Sequence, residues 1–170
     1  MAGSMGKKSA LSTGVKILLA SRQRKLACDM RWLRRLAPLA LRHCLAARPL
    51  KAAVLSQLPE VAVTLVSDTA IARMHLDFMG LPGPTDVITF HHGEIVISVE
   101  TAAVNAARYR RSLDEEVALY LIHGLLHLHG YLDKKPADAA LMQKTQATIL
   151  RRCLAELKKC EPNGVSAMKR

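Results

Sequence analysis

One stretch, residues 121–133, constrains this chain more than any other, because it places histidines at helical spacing directly before a helix stop. On a helix, His123 and His127 are four positions apart, so their rings are neighbours on one face and can bind the same metal ion. Gly130 follows, and a glycine just past a helix end lets the chain reverse through a left-handed conformation. The reversal brings the next residues back to the histidine face, where Asp133 is the only strong metal-binding group.

This spacing predicts a site for one zinc ion per chain, bound by His123, His127 and Asp133. Three protein ligands leave the fourth tetrahedral position open for water, as in catalytic zinc sites. The alternative is a buried amphipathic helix whose histidines are incidental. His129 lies off the face of the pair, and we expect it to be partly buried or to cap the helix.

Gly124 argues against one class of zinc enzyme. In the His-Glu-x-x-His motif of zinc peptidases, the glutamate beside the first histidine is the general base. Glycine occupies that position here and cannot act as a base, so the sequence disfavours a peptidase despite the shared spacing.

The same stretch carries a family resemblance. Residues 123–131 resemble the His-Gly-x-Leu-His-Leu-x-Gly-Tyr-Asp-His signature of the YbeY family of bacterial rRNA maturation factors. Residues 84–90 are similar to that family's Pro-Thr-Asp-Val-Leu-Ser-Phe strand, and residues 93–98 to its Gly-Asp-Ile-Val-Ile-Ser strand. These motifs occur in the family's order within residues 61–150.

The resemblance implies an α+β fold: a small mixed β-sheet of about four strands with helices packed around it and the metal-site helix in the core. It implies a metal-dependent single-strand endoribonuclease in which His123 and His127 are catalytic. The expected roles are rRNA maturation at the small-subunit rRNA end and ribosome quality control. The expected partners are single-stranded RNA and the small ribosomal subunit or its assembly factors, with neither DNA nor a membrane.

Three positions depart from the family pattern. Asp133 stands where the family has its third metal-binding histidine, and Leu132 where it has the preceding aspartate. Met79 replaces the family's usual arginine. These departures favour the alternative function, a non-catalytic ribosome-assembly protein with a structural zinc ion. A metal-dependent hydrolase of another small substrate is a third hypothesis, supported only by the open site.

The net charge points to an acidic partner. The 170 residues carry a formal net charge of +11, which is typical of nucleic-acid-binding proteins, although a basic surface without a partner would have the same composition. The basic run 108–111 places a tyrosine among three arginines, an arrangement suited to base stacking and phosphate contacts.

The domain prediction is a flexible segment over residues 1–13, a single domain over 14–160 and a flexible tail over 161–170. No targeting segment or membrane span is recognisable, and the four cysteines show no C-x-x-C pairing, so we expect reduced thiols and a cytoplasmic location.

Periodicity and cap residues predict the local elements. Pro38 should mark a kink or break in the first helix. Thr85 and Asp86 should cap or hydrogen-bond the histidine helix, and His91 and His92 should face solvent in a hairpin turn. The predicted strands are 16–20, 61–66, 86–91 and 94–98; the predicted helices begin near 29, 68, 99, 113 and 136.

Overall fold

A computed structural model describes residues 14–160, which form four strands and five α-helices in an α+β arrangement. The strands are β1 Lys16–Ser21, β2 Glu60–Val66, β3 Val87–Phe90 and β4 Glu94–Ser98. The helices are α1 Met30–Ala46, α2 Asp68–Met79, α3 Val99–Tyr109, α4 Leu113–Leu128 and α5 Pro136–Lys159. The segments predicted to be flexible, 1–13 and 161–170, lie outside the described residues.

The strands form one mixed sheet in the order β1-β2-β4-β3. β1 pairs in parallel with β2, and β2 pairs in parallel with β4. β3 is antiparallel to β4, and the short turn between them confirms the predicted hairpin. The predicted small mixed sheet is therefore confirmed.

Alternation along the strands gives the sheet two apolar faces, because successive side chains point to opposite sides. Val61, Val63 and Leu65 of β2 belong to the main core, which includes residues of α1, α4 and α5. Val66 and Val96 point to the other face, where they pack with Ile71 of α2 in a smaller cluster. Both faces of the sheet are covered by helices.

Helix α4 lies in the main core, as predicted for the metal-site helix. It packs against the sheet and against α1, α3 and α5. Its start is fixed by the predicted capping box, in which Ser112 and Glu115 exchange side-chain and backbone hydrogen bonds. Neither α4 nor any other helix within residues 14–160 combines the length and the apolar character needed to cross a bilayer.

Gly124 sets how closely α4 approaches the sheet. A Cβ atom at this position would lie 2.8 Å from the Cγ2 of Ile95 and 3.0 Å from the Oγ1 of Thr89. Only a residue without a side chain fits there, so the glycine of the histidine motif allows α4 to pack tightly against β3 and β4.

Of the kink or break predicted at Pro38, the break is absent, since α1 runs without interruption from residue 30 to 46. Proline removes one backbone hydrogen bond, but buried apolar residues on both sides, such as Leu36 and Ala40, hold the helix against the core. Tertiary packing therefore outweighs the local cost.

Candidate metal centre

The C-terminus of α4 turns sharply at Gly130, as predicted. Gly130 has φ +92°, and its N–H donates to the His127 carbonyl, while the Tyr131 N–H donates to the Leu126 carbonyl, both at 3.0 Å. This pair of bonds is a Schellman motif. A Cβ atom on Gly130 would lie 2.8 Å from the carbonyl oxygens of residues 50 and 51, so glycine is needed for space as well as for conformation.

The turn brings the three predicted ligands together. The Nε2 atoms of His123 and His127 are 2.9 Å apart, and each lies 3.5 Å from the Oδ2 of Asp133. In a tetrahedral site with metal–ligand distances of about 2.1 Å, two ligand atoms are about 3.4 Å apart. The two 3.5 Å separations match this value and the 2.9 Å separation is shorter, so the three atoms could hold one metal ion if the two rings moved slightly apart.

The other ring nitrogens determine which atoms can bind a metal. The Nδ1–H of His127 donates to the Tyr131 carbonyl, and the Nδ1–H of His123 donates to the Oε1 of Gln146, both at 3.0 Å. Each neutral ring then carries its lone pair on Nε2, directed toward the other ring and toward Asp133. Three lone-pair-bearing atoms that converge in this way repel one another unless a cation lies between them.

The electrostatics of His127 favour the neutral, ligand form. Desolvation by burial lowers the pKa of His127 below its ordinary value, and the neighbouring His123 lowers it further. Asp133 and the Tyr131 carbonyl act in the opposite direction but do not reverse the shift. Because a metal competes with protons for the same lone pair, the lowered pKa keeps His127 available to a metal at neutral pH.

Two clefts border this cluster, and both are lined by His123, Asp133 and Asp86. We call the first, of about 500 Å³, the strand-side cleft. We call the second, of about 600 Å³, the helix-side cleft. Their distinguishing residues are Met79, Thr89, His91 and Lys134 for the strand-side cleft, and Asn105, Tyr109, Arg111 and Gln146 for the helix-side cleft.

The other histidines near the motif lie as the sequence predicts. His129 is buried at the C-cap of α4, and its Nε2–H donates to the Ala47 carbonyl at 3.0 Å. His91 and His92 are exposed in the β3–β4 turn, although His91 also borders the strand-side cleft. None of these three rings belongs to the cluster of His123, His127 and Asp133.

The predicted role of Asp86 needs a correction. Its Oδ1 accepts the Thr85 hydroxyl at 3.2 Å and the Val87 N–H at 2.8 Å, so it fixes the start of β3 and not the histidine helix. The reason is local, because a short acidic side chain reaches the next backbone N–H more readily than a separate helix. Sequence reasoning also missed that Asp86 borders both clefts.

Gln146 is a further residue whose role sequence reasoning missed. It lies on the same face of α5 as the buried Met142 and Ile149, at helical spacing. A polar side chain on an otherwise apolar face was the available signal, since such a residue needs a partner inside the protein. That partner is His123.

The comparisons with known proteins decide the family. The sequence pattern that describes Endoribonuclease YbeY matches residues 19–154, which is most of the chain. The chain belongs to the YbeY family. Among the curated YbeY endoribonucleases it resembles, that of Anaeromyxobacter sp. is 37% identical over 102 residues, covering 54% of this chain and 53% of that protein. That of Moorella thermoacetica is 37% identical over 110 residues, covering 54% of this chain and 70% of that protein.

A solved structure supports the fold of this YbeY family member. A Thermotoga maritima protein determined in solution aligns with a TM-score of 0.58 and 23% sequence identity. The alignment covers 92% of this chain and 99% of the other. At this identity the likeness concerns the fold alone, and it agrees with the mixed sheet and surrounding helices described above.

The departures from the YbeY pattern lie beside the cluster. Met79 is 50% exposed and lines the strand-side cleft, so no cation is present at that position. Lys134 lines the same cleft and supplies a positive charge next to Asp133. Leu132 is 61% exposed and also lines this cleft.

Proposed function

We propose that this chain is a metal-dependent, single-strand endoribonuclease that acts in rRNA maturation, notably at the small-subunit rRNA end, and in ribosome quality control. His123, His127 and Asp133 hold one zinc ion. The two histidines take part in catalysis by binding this ion. The observation that carries the proposal is the convergence of three lone-pair-bearing atoms within 3.5 Å, in a chain of the YbeY family.

The chain's own residues account for much of the proposed reaction. A zinc ion in this site would lower the pKa of a bound water toward about 7 and polarise a phosphate oxygen. Asp86 borders both clefts and can accept the proton that water loses as it attacks phosphorus. The P–O bond to the leaving sugar breaks, and the same proton passes to the departing oxygen. Lys134 and Arg111 place positive charge beside the phosphates.

The packing of α4 supports this reaction over peptide hydrolysis. A side chain at position 124 would run into Ile95 and Thr89 of the sheet. The glutamate that zinc peptidases use as a base therefore has no room at this position, in addition to being absent from the sequence.

The partner assignment rests on charge and family. A formal net charge of +11 favours RNA, and binding through phosphates should weaken as salt rises. The proposed partners are single-stranded rRNA and the small ribosomal subunit or its assembly factors, in the cytoplasm.

The experiment that tests the metal site is elemental analysis of protein purified without added metal. We expect close to one equivalent of zinc in the parent protein and much less in the Asp133→Ala variant. Asp138→Ala, which changes a carboxylate outside the cluster, is the matched control and should retain the metal. Equal zinc in all three proteins would remove Asp133 from the ligand set.

A second candidate function is favoured by Met79 and Asp133, which replace the family's arginine and third histidine. In this alternative the protein assists ribosome assembly without cleaving RNA, and zinc only stabilises the end of α4. A chelator would then melt the fold, and RNA binding would be measurable while cleavage would not. Cleavage that depends on the metal under conditions where the fold survives chelation would reject this alternative.

A further inference from the structure

We propose that the helix-side cleft leads to a nucleotide subsite at its Tyr109 end, in which a base stacks against Tyr109 and a phosphate pairs with Arg111 of the cleft and with Arg108, which lies over the tyrosine ring outside the cleft lining. This subsite deepens the proposed function and rests on it. Tyr109 is the last residue of α3, is 54% exposed and lines the same cleft as His123 and Asp133. A strand bound at the metal cluster can therefore continue along this cleft past the tyrosine ring.

Two guanidinium groups lie next to that ring. The Cζ of Arg108 is 5.6 Å from the centroid of the Tyr109 ring, and the Cζ of Arg111 is 5.5 Å from it. Both guanidinium groups lie over the ring, so a base that stacks on Tyr109 displaces one of them, which can then pair with the adjacent phosphate. The cluster thus offers both contacts that single-stranded nucleic acid uses, stacking on the base and charge on the phosphate.

Arg111 is held in place by a buried carboxylate. Its Nη1–H donates to the Oε2 of Glu116 at 2.8 Å, and Glu116 is only 2% exposed in the first turn of α4. The Arg111 side chain is 37% exposed. Guanidinium has five N–H donors, so groups not facing Glu116 can reach a phosphate from a fixed position.

Arg110 adds a third cation to this segment. It caps the end of α3 with φ +55°, the left-handed conformation in which many helices end. An arginine at this position extends the positive charge next to the tyrosine.

The test compares binding of an intact RNA with binding of the same RNA lacking one base. We would measure fluorescence anisotropy of labelled octaadenylate with the metal-loaded protein, read within seconds of mixing before cleavage accumulates, and of strands that carry an abasic site at each position in turn. In the parent protein we expect one abasic position to weaken binding about tenfold. Tyr109→Ala should weaken binding of the intact strand by a similar factor and lose the discrimination. Tyr109→Phe, which keeps the ring, should behave as the parent.

The arginines are tested by the salt dependence of the same binding. Arg108→Ala should reduce the slope of log affinity against log salt by about 0.7, the value for one phosphate contact on a single strand, while base discrimination persists. Arg35→Ala, on an exposed position of α1 that lines neither cleft, is the matched control. Arg111→Lys is preferred to Arg111→Ala because the latter would leave Glu116 buried without a partner.

The outcomes separate this proposal from the proposed function. If the parent binds and cleaves RNA but Tyr109→Ala keeps full affinity and full discrimination, the subsite is rejected and the endoribonuclease assignment stands. If the parent protein binds no RNA at all, both proposals fail together.

Discussion

Helix α4 has two faces with opposite requirements. On the face toward the sheet, Gly124 leaves no room for even one methyl group against Ile95 and Thr89. On the face toward the clefts, His123 and His127 are partly exposed and converge with Asp133. Tight packing of the first face against the sheet fixes the position of α4. The fixed helix in turn holds the rings of His123 and His127 close to each other and to Asp133. Changes on the first face should therefore affect folding, and changes on the second should affect chemistry.

The largest expected effect is the loss of RNA cleavage when a histidine on the cleft-facing side of α4 is replaced. His123→Ala and His127→Ala should each abolish RNA cleavage, by at least about 1,000-fold, because the proposed metal site loses one of its three ligands. Circular dichroism should show the fold of the parent, since neither ring fills the main core, and the variants should melt like the zinc-free parent protein. Cleavage that persists in both variants would point to a contaminating nuclease and would contradict the assignment of chemistry to the cleft-facing side of α4.

Loss of the hydrogen bond between His123 and Gln146 should have the next largest effect. Gln146→Leu removes the acceptor that holds His123 by its Nδ1–H, so zinc affinity should fall about 10- to 100-fold. Cleavage should recover when zinc is added in excess, which a lost catalytic group would not allow. Gln143→Leu is the matched control, because Gln143 lines the same cleft but is exposed. Equal zinc affinity in Gln146→Leu and the parent would contradict a positioning role.

The packed face is tested by Gly124→Val. We expect a loss of about 1–3 kcal/mol in the free energy of unfolding, because the new side chain must displace Ile95 or Thr89. Valine is preferred to alanine because alanine gains about 1 kcal/mol of helix propensity over glycine, which would hide part of the cost. Gly14→Val, with open space around its Cβ, should melt like the parent. A Gly124→Val variant that melts like the parent but cleaves poorly would show that position 124 acts on the chemistry instead.

The positions of the helices and strands, and the ligand spacing, followed from the sequence because those features depend on near neighbours, whereas the α+β class came from the family resemblance. His123, His127 and Gly130 lie within one helix and its cap, so local geometry alone places them. Asp133 followed from the direction of the turn. Whether Pro38 interrupts α1 could not be decided from the sequence, because its effect depends on packing against residues far away in the chain.

The contacts between α4 and its neighbours could not be read from the sequence. Gln146 lies 23 positions from His123, and its role depends on how α5 crosses α4. Asp86 similarly required the position of β3 relative to the two clefts. Glycine at position 124 was interpreted only as a missing base, whereas the structure gives it a steric reason as well. Long-range packing decides each of these three cases.

The smallest expected effect comes from an ion pair remote from both faces of α4. Glu156 of α5 pairs with Arg42 and His43 of α1, and hydrogen bonds from Arg42 and then His43 lower the pKa of Glu156. A carboxyl whose pKa is lowered on folding stabilises the protein above its unfolded pKa, near 4.5, and loses that stabilisation as the pH falls through the lower folded value. Solvent screening limits the contribution to at most about 1 kcal/mol.

Melting curves of the parent and Glu156→Gln between pH 7 and pH 3 measure this contribution. The parent should be slightly more stable than Glu156→Gln at neutral pH. The difference should shrink as the solution is acidified, because the protonated Glu156 is then uncharged like the glutamine of the variant. RNA cleavage at neutral pH should be unchanged, since Glu156 lines neither cleft. If the stability difference between the parent and Glu156→Gln instead grew as the pH fell, the ion pair would not stabilise the folded protein as argued above. A fall in cleavage without a fall in stability would mean that the contact between α1 and α5 helps to position His123, whose hydrogen-bond partner Gln146 lies on α5, and would connect this ion pair to the chemistry.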